Sequence, residues 1–67
     1  MEALIGSIAG KIWQYLNEHG EATILEIKFA LGYSNSLIFL ALGWLTRENK
    51  INLVESDRTY RVSLKPG

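Results

Sequence analysis

The apolar residues of this chain change their spacing once, and that change limits the fold more than any other feature. Between Leu4 and Leu45 they recur every three or four residues. Beyond Lys50 the pattern alternates, with Ile51, Leu53 and Glu55 set against Asn52, Val54 and Ser56, and Tyr60, Val62 and Leu64 against Arg61, Ser63 and Lys65. A helix presents one face every 3.6 residues and a strand every two, so neither pattern can settle as the other. The chain therefore reads as helices followed by a two-stranded hairpin, an α+β arrangement.

Punctuation divides the helical part into three. Leu4, Ile5, Ile8, Ile12, Tyr15 and Leu16 share one side of a helix over about 2–19, opposite Ser7, Lys11, Gln14, Asn17 and Glu18, and Gly20 stops it. Thr23 and Glu26 have the spacing of a capping box. They open a second helix over about 24–31 with Ile24, Ile27 and Leu31 facing inward, and Gly32 ends it. Ser34 or Asn35 caps a third helix over about 35–48, and Asn49 suits a left-handed stop. Its apolar arc runs from Leu40 through Trp44, Ala41 and Leu45 to Leu42, which places Trp44 and Leu45 in the core. Asn35, Ser36, Phe39, Gly43, Thr46, Arg47 and Lys50 remain on the outer face. The hairpin covers about 51–64. Asp57-Arg58 lacks the Asn-Gly or Asp-Gly signal, so a loop of four or five residues is expected there, and Pro66-Gly67 reads as a frayed end. Residues around Thr23 and Ile24 can add a very short third strand. Helix, helix, Gly turn, helix and hairpin make a winged helix-turn-helix, predicted as a single domain over residues 1–67.

Composition bounds the function classes. At 67 residues and 48% apolar content the chain supports one small core and not two. Seven Lys plus Arg balance seven Asp plus Glu, so no cationic excess drives indiscriminate binding to nucleic acid or to an anionic membrane. The balance is uneven along the chain: residues 1–48 carry a net −2 and residues 49–67 a net +2. Zero Cys excludes a disulfide framework, a zinc finger and thiol redox chemistry. The charge-free stretch Phe29–Thr46 grazes the length of a membrane span. Gly32-Tyr33-Ser34-Asn35-Ser36 interrupts it, however, and the apolar run Leu37–Leu45 is too short to cross a bilayer. Met1–Ala9 lacks a basic start and a small-x-small site, which leaves a cytoplasmic location as the expectation. Domains this small bury only about 60% of their unfolded-chain surface, and self-association as a homodimer is a usual remedy.

The segment from Ile12-Trp13, through Leu16 and Gly20, to Leu40-Ala41-Leu42-Gly43-Trp44-Leu45-Thr46-Arg47-Glu48 with Lys50-Ile51 resembles a small family of prokaryotic winged helix-turn-helix domains of uncharacterised function. The Leu-Ala-Leu-Gly-Trp-Leu string is its most specific part. The resemblance implies the fold and a stand-alone module. It implies no substrate, cofactor or ligand and carries over no functional residue.

Catalysis needs titratable groups converging on a pocket, and this chain offers one His and scattered carboxylates, so no catalytic residue, metal ligand or cofactor is expected. His19 reads as a helix-terminus residue. Glu18, Glu21 and Glu26 read as surface and caps, and Gly6 and Gly10 follow no strand that would make a phosphate loop. Two features point to a protein partner. Gly6, Gly10, Trp13 and Asn17 form a strip along the edge of the first helix's polar face, and helix-interior glycines need a reason, which close approach supplies. Phe39 beside Gly43 sets an aromatic ring next to bare backbone, as an interface anchor would. The competing reading is a DNA-binding regulator that uses Asn35, Ser36, Arg47 and Lys50 on or near the third helix and Arg58 and Arg61 on the wing.

Overall fold

The computed structural model describes residues 2–66, so Met1 and Gly67, the latter half of the expected frayed end, lie outside the described residues. Helix α1 spans Glu2–His19 and stops where expected: Gly20 adopts φ 90° and donates its N–H to the Leu16 carbonyl at 2.7 Å. Strand β1 covers Glu21–Thr23, ending where helix α2, Ile24–Leu31, begins. The capping box forms as its spacing requires. Glu26 N–H donates to Thr23 Oγ1 at 3.1 Å, and Thr23 N–H donates to Glu26 Oε1 at 2.8 Å. Two otherwise unpaired donors at this helix start are thereby satisfied. Gly32, at φ 75°, closes α2 by donating to the Lys28 carbonyl.

Helix α3 spans Asn35–Arg47, and its cap is Ser34, whose Oγ accepts from Leu37 N–H. Glu48 is the C-cap rather than the last helical residue, and Asn49 then takes φ 61° to turn the chain into the wing. Helices α2 and α3 meet at a bend of 116°, and among the described residues no single helix is long and apolar enough to cross a membrane.

Strands β2, Ile51–Ser56, and β3, Thr59–Leu64, form the hairpin, and β1 pairs antiparallel along the other side of β3, giving the order β1-β3-β2. The very short third strand thus forms, but over Glu21–Thr23 rather than around Thr23 and Ile24, because Ile24 already begins α2. The loop is shorter than expected. Ser56 pairs with Thr59, leaving only Asp57 and Arg58 in the turn, at φ 43° and 67°. Two left-handed residues in succession match the right-handed twist of the flanking strands, and that match outweighs the local cost of having no glycine.

The core lies where α1, α3 and the sheet converge. Ile5, Ile8, Ala9, Ile12 and Leu16 from α1 pack with Ile27 of α2, with Ile38, Ala41, Leu42 and Leu45 of α3, and with Ala22, Ile51 and Val62 of the sheet. Ile24 and Leu31 are partly buried against it. Three residues expected inside are not. Leu4, Leu40 and Trp44 are exposed, although Leu45 is buried as expected. The reason is geometric: the apolar arc of α3 is about 200° wide, but α1, α2 and the sheet cover only a stripe of about 100° centred on Ala41, Leu45, Ile38 and Leu42.

A candidate interaction surface on helices α1 and α3

The uncovered half of the α3 arc faces the same side of the molecule as the glycine strip of α1. Leu40 and Trp44 lie one turn apart, with Phe39 and Gly43 beside them. Glu2 and Ile5 at the start of α1 frame one depression together with Phe39, Leu40, Gly43, Trp44 and Arg47. Gly6, Ala9, Gly10 and Trp13 frame the next with Trp44, Leu45, Glu48 and Lys50. Trp44 borders both, so the two features picked out separately in the sequence belong to one continuous face.

That face is apolar and open. Trp13 is 41% exposed, Phe39 54%, Leu40 51% and Trp44 38%. Among the described residues its glycines have no partner that would require them. A Cβ added at Gly10 or Gly43 would meet nothing within 4 Å, and one at Gly6 would only touch Trp44 Cζ2 at 4.0 Å, an ordinary contact. Each helix-interior glycine nevertheless costs about 1 kcal/mol relative to alanine. Asn17 departs from the strip: it lines a more polar groove with Trp13, Glu48, Asn49, Lys50, Leu64, Lys65 and Pro66. Leu40 and Trp44 are the residues the sequence reading missed. The available signal was the width of the α3 arc, which exceeds what one packed face can cover.

The charges bordering the face are balanced, two acids in Glu2 and Glu48 and two bases in Arg47 and Lys50. None of the four takes part in an ion pair among the described residues, where Arg61 with Glu21, at 2.7 Å, is the salt bridge formed.

The residues of the DNA reading are dispersed. Asn35 and Ser36 are exposed at the start of α3, and Arg47 lies twelve residues away at its end, about 18 Å along the axis. Arg58 is exposed in the hairpin turn. Arg61 pairs with Thr23 and Val54 in the sheet, on the face opposite Val62, and its guanidinium is engaged by Glu21. Phe39, Leu40 and Trp44, rather than cations, fill the stretch of α3 between the polar residues at its ends.

The carboxylates near the α1–α2 junction have separate duties. Glu21 holds Arg61, and Glu26 closes the capping box. The backbone N–H and then the hydroxyl of Thr23 hold the Glu26 carboxyl below the usual carboxylate range. His19 occupies the last turn of α1 with its ring 4.3 Å from that of Tyr15.

Comparison with known proteins agrees with this architecture. A family model described as a winged helix-turn-helix domain, DUF2582, matches residues 1–64. An uncharacterised protein of the archaeon Methanocaldococcus jannaschii, MJ1608, is 39% identical, over 91% of this chain and 90% of that protein. The solution structure of protein BT2368 from Bacteroides thetaiotaomicron superposes with a TM-score of 0.83 at 32% identity, covering 96% of this chain and 79% of that one.

Proposed function

We propose, for a chain that belongs to the DUF2582 family of winged helix-turn-helix domains, that it acts without catalysis, through protein contact at the α1–α3 face. The observation that carries this reading is the run of Phe39, Leu40 and Trp44 along the exposed side of α3, the helix that reads base edges in DNA-binding members of this fold class. Base edges and phosphates are contacted by Arg, Lys, Asn, Gln and Ser side chains. Large apolar side chains beside bare backbone are instead the composition of a protein interface core.

The competing role, a transcriptional regulator using α3 and the wing, draws support from the exposed Arg58 and from Asn35 and Ser36 at the start of α3. Titration with random duplex DNA at low and moderate salt separates the two. A neutral chain with dispersed cations releases few counterions, so the dissociation constant should be no tighter than about 10 μM at physiological salt. Sub-micromolar binding that weakens steeply with salt would overturn the protein-contact reading, and Arg58, Arg61 and Lys50 would then be the residues to neutralise.

A further inference from the structure

Resting on the protein-contact reading, we infer that the occupant of the α1–α3 face is a second copy of this chain, docked about a two-fold axis. The first argument is charge. A two-fold contact sets a patch against itself, so any net charge on the patch repels its own image. Here Glu2 and Glu48 balance Arg47 and Lys50 around the apolar centre, and none of the four is neutralised by a salt bridge among the described residues. Such a border can pair acid with base across the axis. Nucleic acid or an anionic lipid surface would instead select a border of net positive charge.

The second argument is area. With about 150–250 Å² per aromatic side chain and a value near the lower figure for leucine, the exposed fractions of Trp13, Phe39, Trp44 and Leu40 add to on the order of 400 Å² of apolar surface. Homodimer interfaces are about 65% apolar, so this patch implies a footprint of roughly 600 Å² per copy. Two copies then bury roughly 1,200 Å², the lower end of the range for specific, stable interfaces. Each copy's share, roughly 600 Å², is about an eighth of the 4598 Å² accessible surface of the single chain. Gly10 and Gly43, open to solvent in the single chain, allow the partner backbone to come close.

Sedimentation velocity over a range of concentrations tests the assignment, with circular dichroism to establish folding. The parent chain should pass from monomer to dimer in the micromolar range. Gly43→Arg should raise the dissociation constant by at least about tenfold, since it places a charged side chain on the apolar centre. Arg47→Glu makes the border net acidic and Glu2→Lys makes it net basic, so each variant alone should dimerise more weakly and an equimolar mixture should recover dimer. A parent chain still monomeric at about 1 mM would overturn the second-copy assignment and leave the protein-contact reading to the DNA titration. A dimer unaffected by a folded Gly43→Arg, or charge variants that do not recover on mixing, would place the contact elsewhere. Loss of folding in Gly43→Arg would overturn the open placement of position 43.

Discussion

Replacing Gly10 and Gly43 together by alanine should make the isolated chain more stable and its self-association weaker. Both glycines lie inside helices, and beyond their own helical turn no atom of the described residues comes within 4 Å of the position a Cβ would take, so the added methyl groups meet no obstacle there. The gain is then the helix propensity difference, about 0.8–1.0 kcal/mol per site. The sites sit on different helices and neither added methyl group reaches a side chain the other touches, so the two gains should add to roughly 1.5–2 kcal/mol. For a domain of this size that corresponds to a rise of roughly 6–16 °C in Tm. Thermal unfolding followed by circular dichroism at a concentration well below the dimer dissociation constant, where the monomer dominates, reads this directly. At higher concentration the comparison should narrow. Dimerisation adds stability to the parent by mass action, while the variant, with two methyl groups in the contact, gains less. A double variant no more stable than its parent in dilute solution would show that the glycines serve packing within the chain, and the argument for an external partner would lose its energetic basis.

The uneven burial of α3 predicts different costs for the same substitution two residues apart. Leu42→Ala, at a 3% exposed position, should cost about 2–5 kcal/mol, whereas Leu40→Ala should stay within about 1 kcal/mol, and equal urea midpoints for the two would refute the orientation assigned to the helix. Arg58→Gly should stabilise the hairpin by about 1 kcal/mol, because it relieves a left-handed residue; an unchanged or lower midpoint would mean that the turn is not of this type. Thr23→Ala should cost about 1 kcal/mol by uncapping α2, and an unaltered midpoint would place the helix start elsewhere. The Glu26 carboxyl is held lower in the folded chain than in the unfolded one, so its stabilisation is present above the unfolded carboxylate range and lost as pH falls through the folded value. Glu26→Gln should flatten that part of the stability profile between neutral and acid pH. A profile as steep as the parent's would assign the effect to other groups.

Local chemistry in the sequence determined most of the architecture. The end of α1 at Gly20, the capping box at Thr23 and Glu26, the left-handed Gly32 and Asn49, and the alternation of Ile51, Leu53, Val62 and Leu64 depend on dihedral preferences and on hydrogen bonds between near neighbours. Such terms are the same whatever lies across the molecule. The strand–strand twist that compresses the wing loop to Asp57 and Arg58 is already a relation between two segments, and there the residue types alone were a poor guide.

Tertiary packing decided which side of a doubly apolar helix became the inside. Along α3 the sequence supplies Ile38, Ala41, Leu42 and Leu45 on one flank and Phe39, Leu40 and Trp44 on the other, and hydrophobicity cannot rank them. Burial is non-directional and roughly proportional to area, so either flank would gain by being covered. The choice fell to the surfaces available. The stripe of α1 from Ile5 to Leu16 and the inner face of the sheet at Ala22, Ile51 and Val62 match the first flank and fill the core. The second flank was left beside Gly6 and Gly10 of α1, and only that juxtaposition joined two separate signals in the sequence into one surface. A helix with more apolar circumference than its own chain can cover leaves the remainder to be covered from outside, and no periodicity read along one strand of sequence can say which half that is.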